Sequence, residues 1–132
     1  MLKYLLDTNI AIYVIKRRPI EILSTFNRNA GKMAVSTITE AELYYGAEKS
    51  QRPQENALVI EEFLSHLLVL PYDSKAAQHF GSIKADLSKK GSIIGENDLH
   101  IAAHARSCGL ILVSNNVREF QRVPNLMLEN WI

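Results

Sequence analysis

The sequence predicts an α/β domain in which a parallel sheet is covered by helices on both sides, and three observations predict it. Short apolar runs recur along the 132 residues, as strands buried on both faces require. Segments with apolar residues at helical spacing separate these runs. Pro19, Pro71, Gly91 and Gly109 fall at the joints, where chain breakers are expected. Strands alternating with helices imply parallel pairing, and the ligand crevice of such a sheet lies beyond the carboxyl ends of its strands.

Each element has its own justification. Leu2 to Leu6 is continuous and apolar, the pattern of a central strand. Residues 8–17 read as a helix stopped by Pro19, which in turn suits the first turn of a second helix reaching about Asn29. Lys32 to Ser36 is a second strand, followed by a helix from Ile38 to about Ser50. From Gln54 to Leu67 the apolar residues at 57, 60, 63, 64 and 67 have helical spacing. Leu68 to Leu70 is a short third strand ending at Pro71, and Ser74 to Lys89 is helical with Gly91 beyond its end. Asn97 to Cys108 is a helix rich in small residues and closed by Gly109. "LILVS" from Leu110 is a fourth strand, and Leu126 to Leu128 a fifth, at the edge.

The bulk numbers fit one domain spanning residues 1–132, because a chain of this length that is 47% hydrophobic buries a core without staples. A lone cysteine, Cys108, excludes an intramolecular disulfide. The N-terminal apolar run breaks at Asp7, far short of a signal-peptide core or a membrane span. The expectation is a soluble, cytoplasmic protein. A formal charge of +1 and a pI near 7.9 do not mark a strongly basic nucleic-acid binder. Basic residues nevertheless group locally, at Lys16, Arg17 and Arg18, at Lys89 and Lys90, and at Arg118 and Arg122. A solvated face accounts for any one such group.

The carboxylates are more informative. Asp7 ends the first strand in "LLDTN", where a helix cap is the modest explanation, but Thr8 and Asn9 cap equally well and three polar residues exceed what a cap requires. Glu42 lies inside the third predicted helix. Taking Ile38 as the origin and about 100° per residue, Ala41, Tyr45 and Glu42 fall within roughly 60° of it, whereas Glu40 falls on the opposite side. A glutamate on an apolar arc is costly unless an arginine or a bound cation compensates it. Asp98 opens the sixth predicted helix with Asn97 as a rival cap, and Ile101, Ala102 and Ala105 mark its face as inward. Three such acids in one α/β domain imply a cation, and all-oxygen ligation favours Mg²⁺ or Mn²⁺. A zinc site is excluded: His100 and His104 are spaced i, i+4, but Ile101 stands where a zinc protease has glutamate, and neither shares the face of Asp98. No glycine-rich phosphate loop, serine elbow or Cys-His pair is present.

"LLDTN" at Asp7, "STITEAELYYGAEKS" around Glu42, "IGENDLHIAAHA" around Asp98 and "LVSNNVREF" after the fourth strand together resemble the PIN domain, and specifically the VapC toxins of bacterial type II toxin-antitoxin pairs. The resemblance runs in order over nearly the whole chain, including the closing "ENWI". It implies a three-layer α/β/α sandwich with a mainly parallel central sheet, and an endoribonuclease dependent on Mg²⁺ or Mn²⁺. Residues matching Asp7, Glu42 and Asp98 would hold the metal, with Thr8, Asn9, Ser114 and Asn116 supporting them. Many relatives carry aspartate where this chain has Asn116, and Glu119 is the nearest acid to replace it.

The resemblance further implies a structured RNA substrate, with a tRNA anticodon region, initiator tRNA first, as the best guess, and ribosomal RNA as the other. Lys16, Arg17, Arg18, Arg118 and Arg122 are the candidate phosphate contacts. The implied partners are a VapB-type antitoxin that places a basic side chain among the carboxylates, a second toxin copy, and operator DNA reached only through the antitoxin; no membrane is implied. Tyr44, Tyr45 and the apolar residues 57–67 suit such surfaces, although helical spacing favours core packing for them. Two rival readings stand beside the ribonuclease. A phosphatase using Asp7 as nucleophile would want aspartate two residues on, where the chain has Asn9. A non-catalytic RNA- or protein-binding module would explain Asn116.

Overall fold

The computed structural model describes all 132 residues. Five strands, β1 (Tyr4–Leu6), β2 (Met33–Ser36), β3 (Leu68–Leu70), β4 (Ile111–Val113) and β5 (Leu128–Glu129), form one sheet in the order β3-β2-β1-β4-β5 with every pairing parallel. Seven helices join them: α1 (Thr8–Lys16), α2 (Glu21–Arg28), α3 (Thr37–Glu48), α4 (Pro53–Leu64), α5 (Ser74–Lys89), α6 (Glu96–Cys108) and α7 (Val117–Phe120). The chain winds from β1 outward to β3, then returns to the other side of β1 as β4. That reversal opens a crevice beyond the carboxyl ends of β1 and β4, the ends that carry Asp7 and Ser114.

The period of two along the strands divides the core between two layers. Tyr4, Leu6, Met33, Val35 and Val113 face α1 to α4, where Ile10, Val14, Ile22, Phe26, Leu43, Ala47, Ile60 and Phe63 are buried. Leu5, Ala34 and Leu112 face the other way, onto Ile83 and Leu87 of α5, Leu99 to Ala105 of α6 and Phe120 of α7. Helices therefore cover both sides, the three-layer sandwich expected. The α6 surface is built of alanines because α5 and the sheet both press on it; α5 and α6 form the most extensive helix pair. Gly109 closes α6 in the left-handed region at φ 66°, as the sequence indicates, and Leu110 N–H bonds back to the Ala105 carbonyl at 3.0 Å. Trp131 packs edge-on against Tyr4, ring centroids 5.0 Å apart, which ties the C-terminal segment to β1. No helix is long and apolar enough to cross a membrane.

Several local expectations need correction. The helix α2 starts at Glu21 rather than Pro19, and α4 stops at Leu64, three residues early, because Ser65 and Leu67 turn back onto its last carbonyls. β5 lies at Leu128–Glu129, shifted towards the terminus from 126–128. The short helix α7 was not expected, since four residues are too few for a helical period to show.

His100 and His104 have structural partners. His104 is buried and its Nδ1 lies 2.8 Å from Ser36 Oγ, the hydroxyl that caps α3 by accepting from Ile38 N–H at 3.0 Å. Burial lowers its pKa, so it sits in the core as the neutral imidazole. His100 bonds Tyr72 Oη at 2.8 Å and stacks on Phe80. No group of three His, Cys, Asp or Glu side chains that could hold a metal includes either of them.

Candidate active site

Asp7 performs two jobs at once. Its backbone is extended, with N–H bonded to the Val113 carbonyl of β4 at 3.0 Å, so the strand ladder fixes where the side chain emerges. Its Oδ1 accepts from Ile10 N–H at 2.9 Å and caps α1. Its Oδ2 accepts a short bond from the buried Ser114 hydroxyl at the end of the neighbouring strand. Only 3% of Asp7 is exposed, and this burial pushes its carboxyl above the usual aspartate range; the bonds from Ser114 and Ile10 pull the other way, and the charge of Glu42 pushes it up further.

Glu42 reaches the same region from α3. Thr8 Oγ1 donates to its Oε1 at 2.6 Å, and Asn97 Nδ2 donates to Oε2 at 3.1 Å. No arginine or lysine pairs with it: the four salt bridges of the molecule, at Arg52, His66, Lys84 and Lys90, all involve other acids. The face Glu42 occupies differs from expectation, however. The core stripe of α3 is Thr39, Leu43 and Ala47. Ile38, Ala41 and Tyr45 form a second stripe that lines an open groove of about 650 Å³, together with Glu42, Gly46 and Lys49, facing Thr8, Asn9 and Ile12 of α1 and Asn97 of α6. Two apolar stripes on one helix share a similar spacing, and only one is buried throughout: in the other, Ile38 packs against the second core layer while Ala41 and Tyr45 are exposed.

Asp98 also sits differently from expectation. Gly95 occupies the cap position of α6, so neither Asn97 nor Asp98 caps it; Asp98 lies in the first turn, where the helix dipole favours a carboxylate. Its inward neighbours Ile101, Ala102 and Ala105 are buried as expected. The Asp98 carboxyl is pushed up to about 7, chiefly by burial, next by a hydrogen bond shared with Glu119, and then by the charges of Glu119, Asp7 and Glu42. α7 delivers that Glu119. Asn116, which precedes α7, donates from Nδ2 to Glu119 Oε2 at 2.7 Å and lies 3.5 Å from Asp98 Oδ2. Its backbone N–H bonds Ser114 Oγ at 2.9 Å. One network thus runs from Asp7 through Ser114 and Asn116 to Glu119 and Asp98.

The structure brings together Asp7, Glu42, Asp98 and Glu119, with Thr8, Ser114 and Asn116 bonded to them. Asn9 is different: its side chain is exposed in the groove, and only its backbone N–H serves Asp7. Among the basic candidates, Lys16 lines an apolar groove of about 410 Å³ that Glu42 also borders. Arg17 and Arg18 lie past the far end of α1, roughly 14 Å along its axis from Asp7. Arg118 is exposed on α7 beside Glu119, and Arg122 is partly engaged, donating to the Ile93 carbonyl at 3.2 Å. Asn97, Tyr45 and Lys49 were not expected at the site. Their signal was available in the i+3 and i+7 spacing from Glu42 and in the position of Asn97 next to Asp98.

The donor set suits a hard divalent cation. All four acids offer oxygen and no basic side chain neutralises them, while burial first, and then the neighbouring acids, raise the carboxyls of Asp7 and Asp98. They do not close into a cage, since no three His, Cys, Asp or Glu side chains converge tightly enough to hold an ion alone. That openness suits an ion that keeps several waters and takes further oxygens from a substrate phosphate, as Mg²⁺ does.

Comparison with known proteins agrees with this geometry. The PIN domain family matches residues 4–126. The ribonuclease VapC2 of Haemophilus influenzae is 72% identical over 132 residues, covering both chains completely. A tRNA(fMet)-specific endonuclease VapC of Shigella flexneri is 53% identical over 99% of each chain. Among solved structures, the DNA-bound VapBC of Salmonella typhimurium superposes with a TM-score of 0.96 at 50% identity over all of both chains. With its order of strands, its cluster of acids and these matches from end to end, the chain belongs to the PIN domain family, among the VapC ribonucleases.

Proposed function

We propose that the chain is the toxin of a VapBC-type pair and acts in the cytoplasm as an endoribonuclease, dependent on Mg²⁺ or Mn²⁺, that cuts tRNA, with initiator tRNA as its target, and so inhibits translation. The observation that carries the chemistry is that Asp7, Glu42, Asp98 and Glu119 lie within reach of one another's charge at the sheet's switch point, with no basic partner. The names of the Shigella flexneri and Salmonella typhimurium relatives, 53% and 50% identical and both called tRNA(fMet)-specific endonucleases, support the substrate. The Salmonella typhimurium and Rickettsia felis structures, VapBC complexes with DNA, support a VapB-type antitoxin, with operator DNA reached through it.

Asp7 and Asp98 would hold the cation directly, and Glu42 and Glu119 would complete its surroundings or orient the attacking water. A bound divalent ion supplies an activated water at neutral pH and relieves charge on the phosphoryl and leaving oxygens. Ser114 fixes the Asp7 carboxylate by donating to Oδ2, and Thr8 and Asn97 fix Glu42. Asn116 holds Glu119 beside Asp98, so both carboxyls would be in place for a bound ion. Ser114→Ala should lower kcat/KM about 10- to 100-fold, the usual effect of removing a hydrogen bond that orients a ligand. Wild-type kinetics in that variant would remove Ser114 from the scheme.

The reading is tested by incubating the purified protein, freed of antitoxin, with bacterial tRNA and rRNA plus Mg²⁺ or Mn²⁺ and mapping new 5′ ends. Discrete cuts leaving 5′-phosphate, concentrated in an anticodon loop, are expected. Folded protein that cuts neither RNA with either ion would overturn the reading in favour of a binding module.

A further inference from the structure

We propose that Tyr45 and Lys49 form a platform that takes the unpaired nucleotide next to the cut bond, Tyr45 stacking on its base and Lys49 meeting its phosphate; the inference rests on the ribonuclease reading above. The carboxylate cluster recognises a phosphodiester and a cation but has no means of holding a base. Something in the same groove must do so if cutting is confined to particular positions.

Tyr45 is 66% exposed although it sits in the middle of α3, whose core stripe leaves it out. Lys49, one turn on, places its Nζ 4.8 Å from the centre of the Tyr45 ring, a cation–π contact that orders the ring without burying it. Along the helix axis, Tyr45 lies about 4.5 Å and Lys49 about 10 Å beyond Glu42. A nucleotide adjoining a phosphate at Glu42, the acid of the cluster that lines this groove, has the ring within reach of its base. Gly46 lines the groove between them, and a Cβ there would meet nothing within 4 Å, so the space beside the ring is open. Lys49 is also the only cation lining this groove, where a polyanion passing Glu42 needs one.

Aromatic stacking tolerates every base because each has a π face. The platform accordingly selects for an unstacked nucleotide, as found in a loop, rather than for one base. Positions in double-stranded regions are refused because their bases are already stacked.

The test uses the full chain. Tyr45→Ala should lower kcat/KM on tRNA about 10- to 100-fold, while Tyr45→Trp retains most of it and both keep the wild-type unfolding temperature. In an Asp98→Asn background, which cannot cut, a short single-stranded RNA carrying 2-aminopurine should be quenched on binding, and Tyr45→Ala should abolish the quench. Lys49→Gln should weaken that binding and reduce its salt slope by about one. Tyr45→Ala with wild-type cleavage overturns the platform. So does a loss of dimer mass in light scattering with RNA binding unchanged, which assigns the ring to a second copy, or loss of antitoxin binding alone. Tyr45-dependent quenching by a wild-type protein that cuts nothing would support the platform and defeat the ribonuclease reading instead.

Discussion

Asp7→Asn should lower RNA cleavage by on the order of 10³-fold or more while leaving the protein folded and, without metal, more stable than the wild type at neutral pH. The two effects have opposite signs because Asp7 serves two ends. Asparagine caps helices about as well as aspartate, so its side-chain oxygen can still accept from Ile10 N–H, and Ser114 can turn its hydroxyl to accept from the new amide. What disappears is a carboxylate that burial already disfavours in its charged form, and removing that unfavourable charge stabilises the fold. Cleavage falls because the divalent ion loses a directly bound oxygen, and the transition-state charge it stabilises is worth several kcal/mol. Urea denaturation in EDTA, beside initial rates on tRNA, checks both. A variant as active as the wild type would show that Asp7 is only a cap.

Asp7 was also the most legible residue of the site. A continuous apolar run ending in "DTN" has no structural need for three polar residues, and the strand end placed them beyond the sheet. The two-sided burial of β1, β2 and β4, the alternation with helices and the closure at Gly109 were readable because each depends on local sequence, whereas β3, where Leu68 is exposed, is not buried as its apolar run suggests. The face of α3 was not readable. Ile38, Ala41 and Tyr45 repeat at helical intervals of three and four residues, much as Thr39, Leu43 and Ala47 do at four and four, and an apolar stripe does not say whether it meets the core or a groove. Only the packing of α1 and α6 decides, and those contacts are distant in sequence. Core packing as the expected use of Tyr45 failed for the same reason. Tyr44, its neighbour, does pack on the first core layer.

The role of Asn116 was legible only in part. The sequence shows an amide at position 116, with Glu119 one turn later. It does not show that a four-residue helix turns Glu119 back onto Asp98. The amide makes that return feasible: an aspartate at 116 would repel both carboxylates, whereas the Nδ2 group donates to one at 2.7 Å and approaches the other at 3.5 Å.

The pH dependence that follows has a large expected effect and a definite sign. The folded Asp98 carboxyl is held at about 7 against 3.8 for the ordinary group, so the metal-free fold is most stable below about pH 4 as far as this group is concerned. That contribution is lost as pH rises from about 4 through 7, because over this range the unfolded chain has given up the proton that the folded state still holds. A divalent cation competes for the same proton, shared between Asp98 and Glu119. Its affinity should therefore rise about tenfold per pH unit between roughly pH 5 and 7 and level off above. The two trends cross: in EDTA the unfolding temperature falls from pH 5 to pH 8, whereas saturating Mg²⁺ or Mn²⁺ raises it most at pH 8. Calorimetric titration of Mn²⁺ in buffers of different ionisation enthalpy should count about one proton released at pH 6 and almost none at pH 8. Asp98→Asn should abolish the release together with tight binding. Metal affinity unchanged between pH 5.5 and 7.5 would mean that the ion is held elsewhere, and the assignment of Asp98 as its ligand would fall with it.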